Sequence, residues 1–273
     1  MSIGRVGGLV CLACAVLAGC GGSGGSGLSP DGGVTDGGGV LDAGTDAGVD
    51  AGSAAWFQRD AGVRIMPLGD SITEGAQADL GGYRWPLENR MLDAGYAFDY
   101  VGSVRAGSPL SMPRPWHEGH GGYQIESLDG GMQLEGAVVD SALRTYQPDV
   151  ILLLAGTNNL NFPDDLDPVK TSSMYDRLLA QIFSLSPRVG VVASPVPWKT
   201  AVASIYVAQF NDHVHAVVDR YADAGYRITW VAGMTDAVDG GAANLPDGIH
   251  PSEPAYDRMA EQWFEALESV SRP

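Results

Sequence analysis

Cysteine is scarce in this chain, because its three cysteines, Cys11, Cys14 and Cys20, all lie within the first 20 positions. The sequence after residue 20 therefore offers no disulfide and no thiolate metal site. Positive charge is scarce as well, with 16 Lys and Arg against 33 Asp and Glu and a formal net charge of −17. So acidic a surface repels phosphate backbones and anionic headgroups, which argues against nucleic acid as a partner.

Long apolar runs are also lacking at the start of the chain. The run from Val6 to Ala18 is shorter than the roughly 20 residues of a membrane span, and with the preceding Arg5 it predicts a signal peptide over 1–19. LAGC at 17–20 resembles the lipobox of bacterial lipoproteins, which implies cleavage before Cys20 and lipidation of Cys20. The alternative is an ordinary secretory cleavage site that happens to end in Cys. The resemblance implies an exported lipoprotein of the outer membrane that touches the membrane only through this anchor.

Residues 20–60 are dominated by Gly, Ser, Ala and Asp, and DAGTDAGVDAG repeats a four-residue unit. This segment has too little apolar surface to offset its ordering entropy, so we expect a flexible linker after the lipidated Cys20. GGSGG at 21–25 fits the G-x-S-x-G pattern, but no strand precedes it and no helix follows it. We therefore expect one globular domain over 61–273.

Strand-like and helix-like segments alternate within that domain. The strand-like runs are 63–68, 98–103, 149–156, 188–196 and 227–233, and the helix-like segments are 83–94, 125–147, 167–186, 203–225 and 252–270. This alternation predicts an α/β fold of three layers with a central five-stranded parallel sheet. Pro67 cannot donate a ladder hydrogen bond, so the sequence does not determine whether the first strand ends before or after it.

Four short blocks carry candidate chemistry: GDSITEG at 69–75, HEGHGGYQI at 117–125, GTNN at 156–159 and PDGIHPS at 246–252. The first block has two interpretations. Ser71 is either the N-cap of a helix, since S-x-x-E matches a capping box, or a nucleophile at the carboxyl end of a strand, where open α/β sheets bind ligands. The fourth block favours the nucleophile, because Asp247 can orient His250 as the general base that a serine hydroxyl needs.

An acyl-transfer site also needs hydrogen-bond donors aimed at the developing oxyanion. The backbone N–H of Ser71, a glycine N–H of the second block and the Asn158 amide are the candidates. Glycine suits this role because it has no Cβ to obstruct a ligand. For Asp70, we expect a role in holding the loop rather than in reacting.

Taken together and in this order, the four blocks resemble those of the SGNH, or GDSL-type, hydrolases over about 63–270. The resemblance implies a flavodoxin-like fold, Ser71 as nucleophile, His250 as base and Asp247 as its orienting carboxylate. It implies oxyanion donors at Ser71, Gly119 and Asn158, with Gly121 as the alternative in the second block. Asn159, where many members have Asp, would be a supporting residue.

The segments IMPLGDSITEG, GYRWPLENRM and HEGHGGYQI look most like the acetylxylan-esterase branch of the carbohydrate esterases. That similarity implies removal of acetyl groups from a polysaccharide without a cofactor. One alternative keeps the chemistry on a lipid ester or thioester, and another is a non-catalytic carbohydrate-binding protein. HEGH is not the H-E-x-x-H zinc motif, and we expect a loop there without a metal.

Overall fold

A computed structural model describes residues 55–78, 81–127, 130–160, 167–197 and 204–272. Its strands are β1 (Phe57–Gln58), β2 (Val63–Gly69), β3 (Phe98–Tyr100), β4 (Glu118–Gly119), β5 (Val150–Leu154), β6 (Gly190–Ala193), β7 (Ile228–Trp230) and β8 (Ser271–Arg272). Its α-helices are α1 (Ser71–Glu74), α2 (Arg84–Asp93), α3 (Ala137–Tyr146), α4 (Pro168–Leu185), α5 (Ser204–Asp223), α6 (Met234–Ala237) and α7 (Glu253–Val270). The expected signal peptide 1–19, the lipidation site Cys20 and the linker as far as residue 54 lie outside the described residues.

The central sheet has the strand order β3-β2-β5-β6-β7, and every neighbouring pair is parallel. The short strand β4 also pairs with β2, beyond the end of β3. All five residues of β5 are buried, as expected of a central strand that is covered on both faces. The predicted α/β fold and its five-stranded parallel sheet are confirmed, with β4 as an addition.

The helices cover both faces of this sheet. The connection from β2 to β3 runs in one direction along the sheet, whereas those from β3 to β5, β6 and β7 run in the other. Because such crossovers are right-handed, α2 lies on one face and α3, α4 and α5 lie on the other. The last helix, α7, packs against α2. The strand order therefore reverses at β2, and a crevice opens at the carboxyl ends of β2 and β5.

Pro67 lies inside β2, pairs in register with Leu152 of β5 and costs the ladder no bond. On the other side of β2, the carbonyl of Ile65 accepts from Val101 beside β3, and that of Gly69 accepts from His120 beside β4, both at 2.9 Å. Successive residues of a strand point their backbone N–H and C=O groups to alternate sides. Pro67, midway between Ile65 and Gly69, therefore points to the same side as they do, into the gap between β3 and β4. Its missing N–H is thus not needed, and β2 continues to Gly69.

The helix expected over 125–147 is wrong in its first half, because α3 covers only Ala137–Tyr146. The preceding backbone pairs like a strand instead. Gln124 donates to Met132 and accepts from Leu134, with N···O distances of 3.0 and 2.9 Å. Gly136 then turns the chain into the helix with a φ of +91°, which glycine tolerates.

Part of the segment assigned to the linker packs with the domain. Strand β1 pairs in parallel with β8 through Phe57 and Ser271, and the Trp56 N–H donates to Val270 at 2.7 Å. Trp56 and Phe57 are half-buried against the core. The described chain thus joins the globular body before residue 61, because these two aromatic side chains gain contacts there.

Candidate active site

The turn from β2 into α1 presents Ser71 at the carboxyl edge of the sheet. A Cβ on Gly69 would lie 2.1 Å from the Leu154 oxygen, so only glycine lets β2 end this close to β5. Asp70 is the N-cap of α1, and its Oδ1 accepts from the Ile72 N–H at 3.0 Å. The interpretation of Ser71 as a helix cap is therefore wrong: Asp70 holds that position, and Ser71 is the first helical residue.

Ser71, His250 and Asp247 form a hydrogen-bonded chain. The Ser71 Oγ lies 2.8 Å from the His250 Nε2, although the two residues are 179 positions apart. On the other side of the ring, the His250 Nδ1 lies 2.7 Å from the Asp247 Oδ2. A carboxylate can only accept, so Nδ1 carries the hydrogen and Nε2 is left to accept from the serine hydroxyl.

Asp247 is held as an anion by the turn that it closes. Its Oδ1 accepts the backbone N–H groups of Ile249 at 3.0 Å and His250 at 2.8 Å. Desolvation by itself would raise the pKa of Asp247, but the hydrogen bonds from the His250 ring and from these two N–H groups outweigh it and lower the pKa to about 2. Asp247 therefore carries its charge throughout the neutral range.

A cavity of about 360 Å³ opens beside the hydroxyl of Ser71. Its wall includes small residues, among them Gly75, Gly107, Gly121 and Gly122. Asn158 and His250 also line it, and so does the Glu74 carboxylate, one helical turn from Ser71. The cavity thus combines a hydroxyl, an imidazole and an amide within narrow walls.

Asn158 and Asn159 tie the end of β5 to the loop of the second block. The Asn158 Nδ2 donates to the Tyr123 oxygen at 2.8 Å. The Asn159 Oδ1 accepts from Ile125 at 2.8 Å, and its Nδ2 donates to the Glu126 oxygen at 3.1 Å. Both asparagines therefore fix the loop that forms one wall of the cavity, and only Asn158 lines the cavity itself.

The choice of Gly119 as an oxyanion donor is wrong. Gly119 lies buried in β4, and its N–H donates to the His117 Nδ1 at 3.0 Å. Gly121, the alternative, lines the cavity, and a Cβ placed on it would be 4.0 Å from the Ser71 Cβ. The sequence analysis missed Gly122, which lines the cavity with a φ of +80° in the turn closed from Tyr123 to His120. The Gly-Gly pair was the signal that could have found it.

The HEGH segment, expected to be a loop, contains strand β4, and hydrogen bonds within the protein engage its side chains. The neutral His117 ring accepts from Gly119 and donates from Nε2 to the Ala106 oxygen at 2.7 Å. The Glu118 carboxylate accepts from the Ser103 N–H and from the His120 Nε2, at 2.7 and 2.8 Å. Across the described residues, no cluster of three His, Asp or Glu side chains is arranged to hold a metal ion.

Arg84 supports α1 from behind, and the sequence analysis did not single it out. Its side chain is completely buried. Its Nε donates to the Thr73 oxygen at 2.9 Å, and its Nη2 donates to the Glu74 oxygen at 2.8 Å. The carbonyls at the end of this one-turn helix thus gain partners that the helix cannot supply. The sequence feature that could have identified this role is a charged residue, Arg84, within the mostly buried stretch GYRWPL.

This arrangement can perform the chemistry of a serine hydrolase, and it lies at the switch point of a doubly wound sheet. A family model described as the GDSL-like lipase/acylhydrolase family matches residues 68–258. The chain belongs to that family. The match includes Ser71, Asn158, Asp247 and His250, and it confirms the family membership that the four blocks predict.

The relatives of the chain include esterases. A "Multidomain esterase" of Ruminococcus flavefaciens is 30% identical over an alignment of 227 residues, and the match covers 76% of this chain but 28% of that protein. A solved family 3 carbohydrate esterase of Clostridium thermocellum has a TM-score of 0.62 and 30% identity, and the match covers 74% of this chain and 94% of that one. A family 3 carbohydrate esterase from Talaromyces cellulolyticus, at 22% identity, 76% and 97% coverage and a TM-score of 0.61, shows the same fold.

Proposed function

We propose that this chain is a serine esterase that removes short acyl groups, acetyl above all, from a polysaccharide. The observation that carries the proposal is the hydrogen-bonded chain from the Ser71 Oγ to the His250 Nε2 at 2.8 Å and from the His250 Nδ1 to Asp247 at 2.7 Å. The similarity to a "Multidomain esterase" supports ester hydrolysis, and the similarity to a family 3 carbohydrate esterase supports a carbohydrate ester as the substrate.

In the proposed reaction, His250 takes the proton of Ser71 while the Ser71 oxygen attacks the ester carbonyl. The anionic Asp247 fixes the tautomer of the neutral ring before the reaction and stabilises the imidazolium that forms. The imidazolium then gives its proton to the sugar oxygen as the bond between that oxygen and the acyl carbon breaks, so the sugar leaves as an alcohol and the acetyl group stays on Ser71. Water, activated by the same imidazole, releases acetate and restores the serine hydroxyl.

The oxyanion donors in this proposal are the backbone N–H of Ser71, a backbone N–H of Gly121 or Gly122 and the Asn158 amide. Their support is that all four residues line the cavity beside the Ser71 hydroxyl. Ser71 is the first residue of α1, where a backbone N–H has no partner within its helix. Each such donor contributes about 3–4 kcal/mol to a comparable transition state.

The shape and charge of the cavity support a short acyl group over a long one. Glu74 is among the lining residues, and contact of a long apolar chain with its carboxylate would be costly, because a charged group loses hydration there. An acetyl group needs little of the 360 Å³ of the cavity, and the sugar hydroxyls can hydrogen-bond to Glu74. These features favour acetyl esters over lysophospholipids or acyl thioesters.

The test uses aryl esters of increasing chain length and a fluorophosphonate probe. Wild-type protein should hydrolyse the acetate fastest and bind the probe covalently, and Ser71→Ala should lose both activities. Ser269→Ala, a change at an exposed position of α7, is the matched control and should keep them. A preference for long acyl chains would favour the lipid ester alternative. Glycan binding without probe labelling would favour a binding protein.

We also propose export and lipidation at Cys20, on the basis of LAGC at 17–20. In a bacterial host, wild-type protein should partition with membranes and carry acyl groups detectable by mass spectrometry. Cys20→Ala should yield protein without acyl groups. An unmodified wild-type N-terminus would overturn this part of the proposal and leave the esterase assignment untouched.

A further inference from the structure

A cavity larger than the one beside Ser71 lies at the amino-terminal edge of the central sheet, opposite Ser71. It measures about 780 Å³, against about 360 Å³ beside the triad. Its lining includes Val63 at the start of β2 and the residues just before β5, β6 and β7. Because all these strands are parallel, their amino ends meet at one edge. This space, which we call the basal groove, is therefore separate from the catalytic cavity.

Arginines concentrate in the basal groove of a strongly acidic protein. Arg144, Arg188 and Arg227 line it together with one carboxylate, Asp149. The Asp149 Oδ2 already accepts a backbone N–H, that of Arg64, at 2.9 Å. The groove thus carries a local positive charge although the whole chain has a formal charge of −17.

Two of these arginines have no acidic partner among the described residues. Many other described arginines pair with carboxylates, namely Arg59, Arg90, Arg114, Arg144, Arg177 and Arg220. Arg188 and Arg227 form no such pair, and they adjoin, since the Arg227 Nη1 donates to the Arg188 oxygen at 3.3 Å. With acidic residues twice as frequent as basic ones, two neighbouring arginine residues without a carboxylate partner suit an external anion.

An aromatic wall stands beside these cations. Trp56 and Phe57 line the groove, and Trp56 lies directly on the backbone of β6. A Cβ on Gly190 would be 2.4 Å from the Trp56 ring, so the indole can pack against the backbone of β6 only because residue 190 is glycine. Amide groups of Gln58 and Gln147 complete the lining. A fixed indole offers an apolar face, and the two amides offer donors and acceptors.

We propose that the basal groove binds a polysaccharide that carries uronic acid carboxylates. The guanidinium groups recognise the carboxylate, Trp56 contacts the apolar face of a sugar ring, and the amides bond to hydroxyls. A cavity of about 780 Å³ is far larger than a free phosphate or carboxylate ion needs and is of the size that holds a larger molecule. An acetylated glycan held there would raise the effective substrate concentration at the triad, a consequence that rests on the proposed esterase function.

Binding can be measured without catalysis by using the full chain with Ser71→Ala. In isothermal titration calorimetry, uronate oligosaccharides should bind at least about tenfold more tightly than neutral oligosaccharides of equal length, as expected for charge-assisted hydrogen bonds. Added salt should weaken the binding. Adding Arg188→Gln and Arg227→Gln should weaken it by about tenfold or more. These side chains are exposed, and an unchanged melting temperature would show that the variant folds.

The matched control is the pair Arg177→Gln and Arg220→Gln, which removes the same charge at exposed sites elsewhere. An equal loss in this control would overturn the proposal, because binding would then depend on total charge. Binding to phosphatidylglycerol vesicles through Arg188 and Arg227, without binding to uronates, would also overturn it. Calorimetric binding is independent of turnover. A chain that binds uronates but hydrolyses no ester would therefore refute the proposed function and still support the basal groove as a binding site.

Discussion

Asp247 is the side chain on which the tautomer of the catalytic imidazole depends. Asp247→Asn keeps an oxygen for the N–H groups of Ile249 and His250, so the turn should persist, but its amide can donate to Nδ1 and reverse the tautomer. We expect kcat on an aryl acetate to fall by up to about 10⁴ with an unchanged circular dichroism spectrum. Asp239→Asn is the control, since Asp239 accepts similar bonds from Gly241 and Asn244 away from the triad. A loss of less than tenfold would contradict the role of Asp247.

His117 should make the fold sensitive to mild acid. Desolvation, and then the charge of Arg84, lower the pKa of His117 from 6.5 to about 3. Between these values the unfolded chain takes up a proton that the folded chain does not. The free energy of unfolding should therefore fall as the pH falls through this window, by up to about 1.4 kcal/mol per pH unit from this residue.

Urea unfolding of wild-type protein and His117→Gln between pH 7 and pH 4.5 tests this expectation. The variant should show a shallower dependence on pH, and His213→Gln, at an exposed position of α5, should keep the wild-type dependence. Asp247 does not interfere, because its lowered pKa reduces the free energy of unfolding only as the pH falls from about 3.8 to about 2. Equal slopes for wild-type protein and His117→Gln would refute the argument.

At this scale the sequence predicts which side chains meet at Ser71, but it does not predict which glycines line the cavity beside it. Asp247 and His250 are three residues apart, so a local turn is enough to bring them together, and the strand that precedes Ser71 fixes its edge of the sheet. The difference between Gly119 and Gly121 depends on which N–H the His117 ring captures. Residue type and spacing carry no information on that contact.

Among the elements, the one-turn helix α1 depends on a side chain from α2. Arg84→Lys keeps the positive charge but replaces a planar fork with a single ammonium, so one of the bonds to Thr73 and Glu74 should be lost. We expect kcat to fall by about tenfold to a hundredfold with a nearly unchanged KM, because a shift of about 1 Å in the nucleophile is sufficient for that loss. Steady-state kinetics measure this effect, with kcat calculated from the concentration of active sites that the fluorophosphonate probe labels.

The control for Arg84→Lys is Arg90→Lys on the same helix. Arg90 pairs with Asp257 at the surface, with an N···O distance of 2.9 Å, and its exchange should leave kcat unchanged. A normal kcat per labelled site in Arg84→Lys, accompanied by a lower melting temperature, would show that Arg84 serves stability alone. Arg84 would then not be a positioning residue for Ser71.

The elements that the sequence predicts are those whose periodicity is long. The helices expected at 83–94, 167–186 and 252–270 agree with α2, α4 and α7 to within a residue or two. The failure at 125–147 has a tertiary cause, because Asn159 and the strand-like pairing of Gln124 hold the first half away from helix. Short elements such as β4 and α1 leave no periodic signal of their own.

At the scale of the whole molecule, the two edges of the sheet carry opposite chemistry. The triad and Glu74 lie at the carboxyl edge, whereas the basal groove with its arginines lies at the amino edge. None of the helices in the described part of the chain is both long and apolar enough to cross a membrane. The strand order alone predicts the edge of the sheet at which the Ser71 site lies. The sequence analysis does not predict the basal groove, because it assigned Trp56 and Phe57, which line that groove, to the linker.

This placement of Trp56 and Phe57 predicts where the domain begins. A chain of 61–273 lacks β1, its pairing with β8 and the half-buried aromatic contacts, whereas a chain of 55–273 retains them. We expect the shorter chain to be less stable by about 2–4 kcal/mol in urea unfolding, from the burial of two aromatic side chains. Trp56→Ala within 55–273 should reproduce part of the loss. Equal stability of both chains would mean that β1 is an accessory contact and that the domain starts at residue 61.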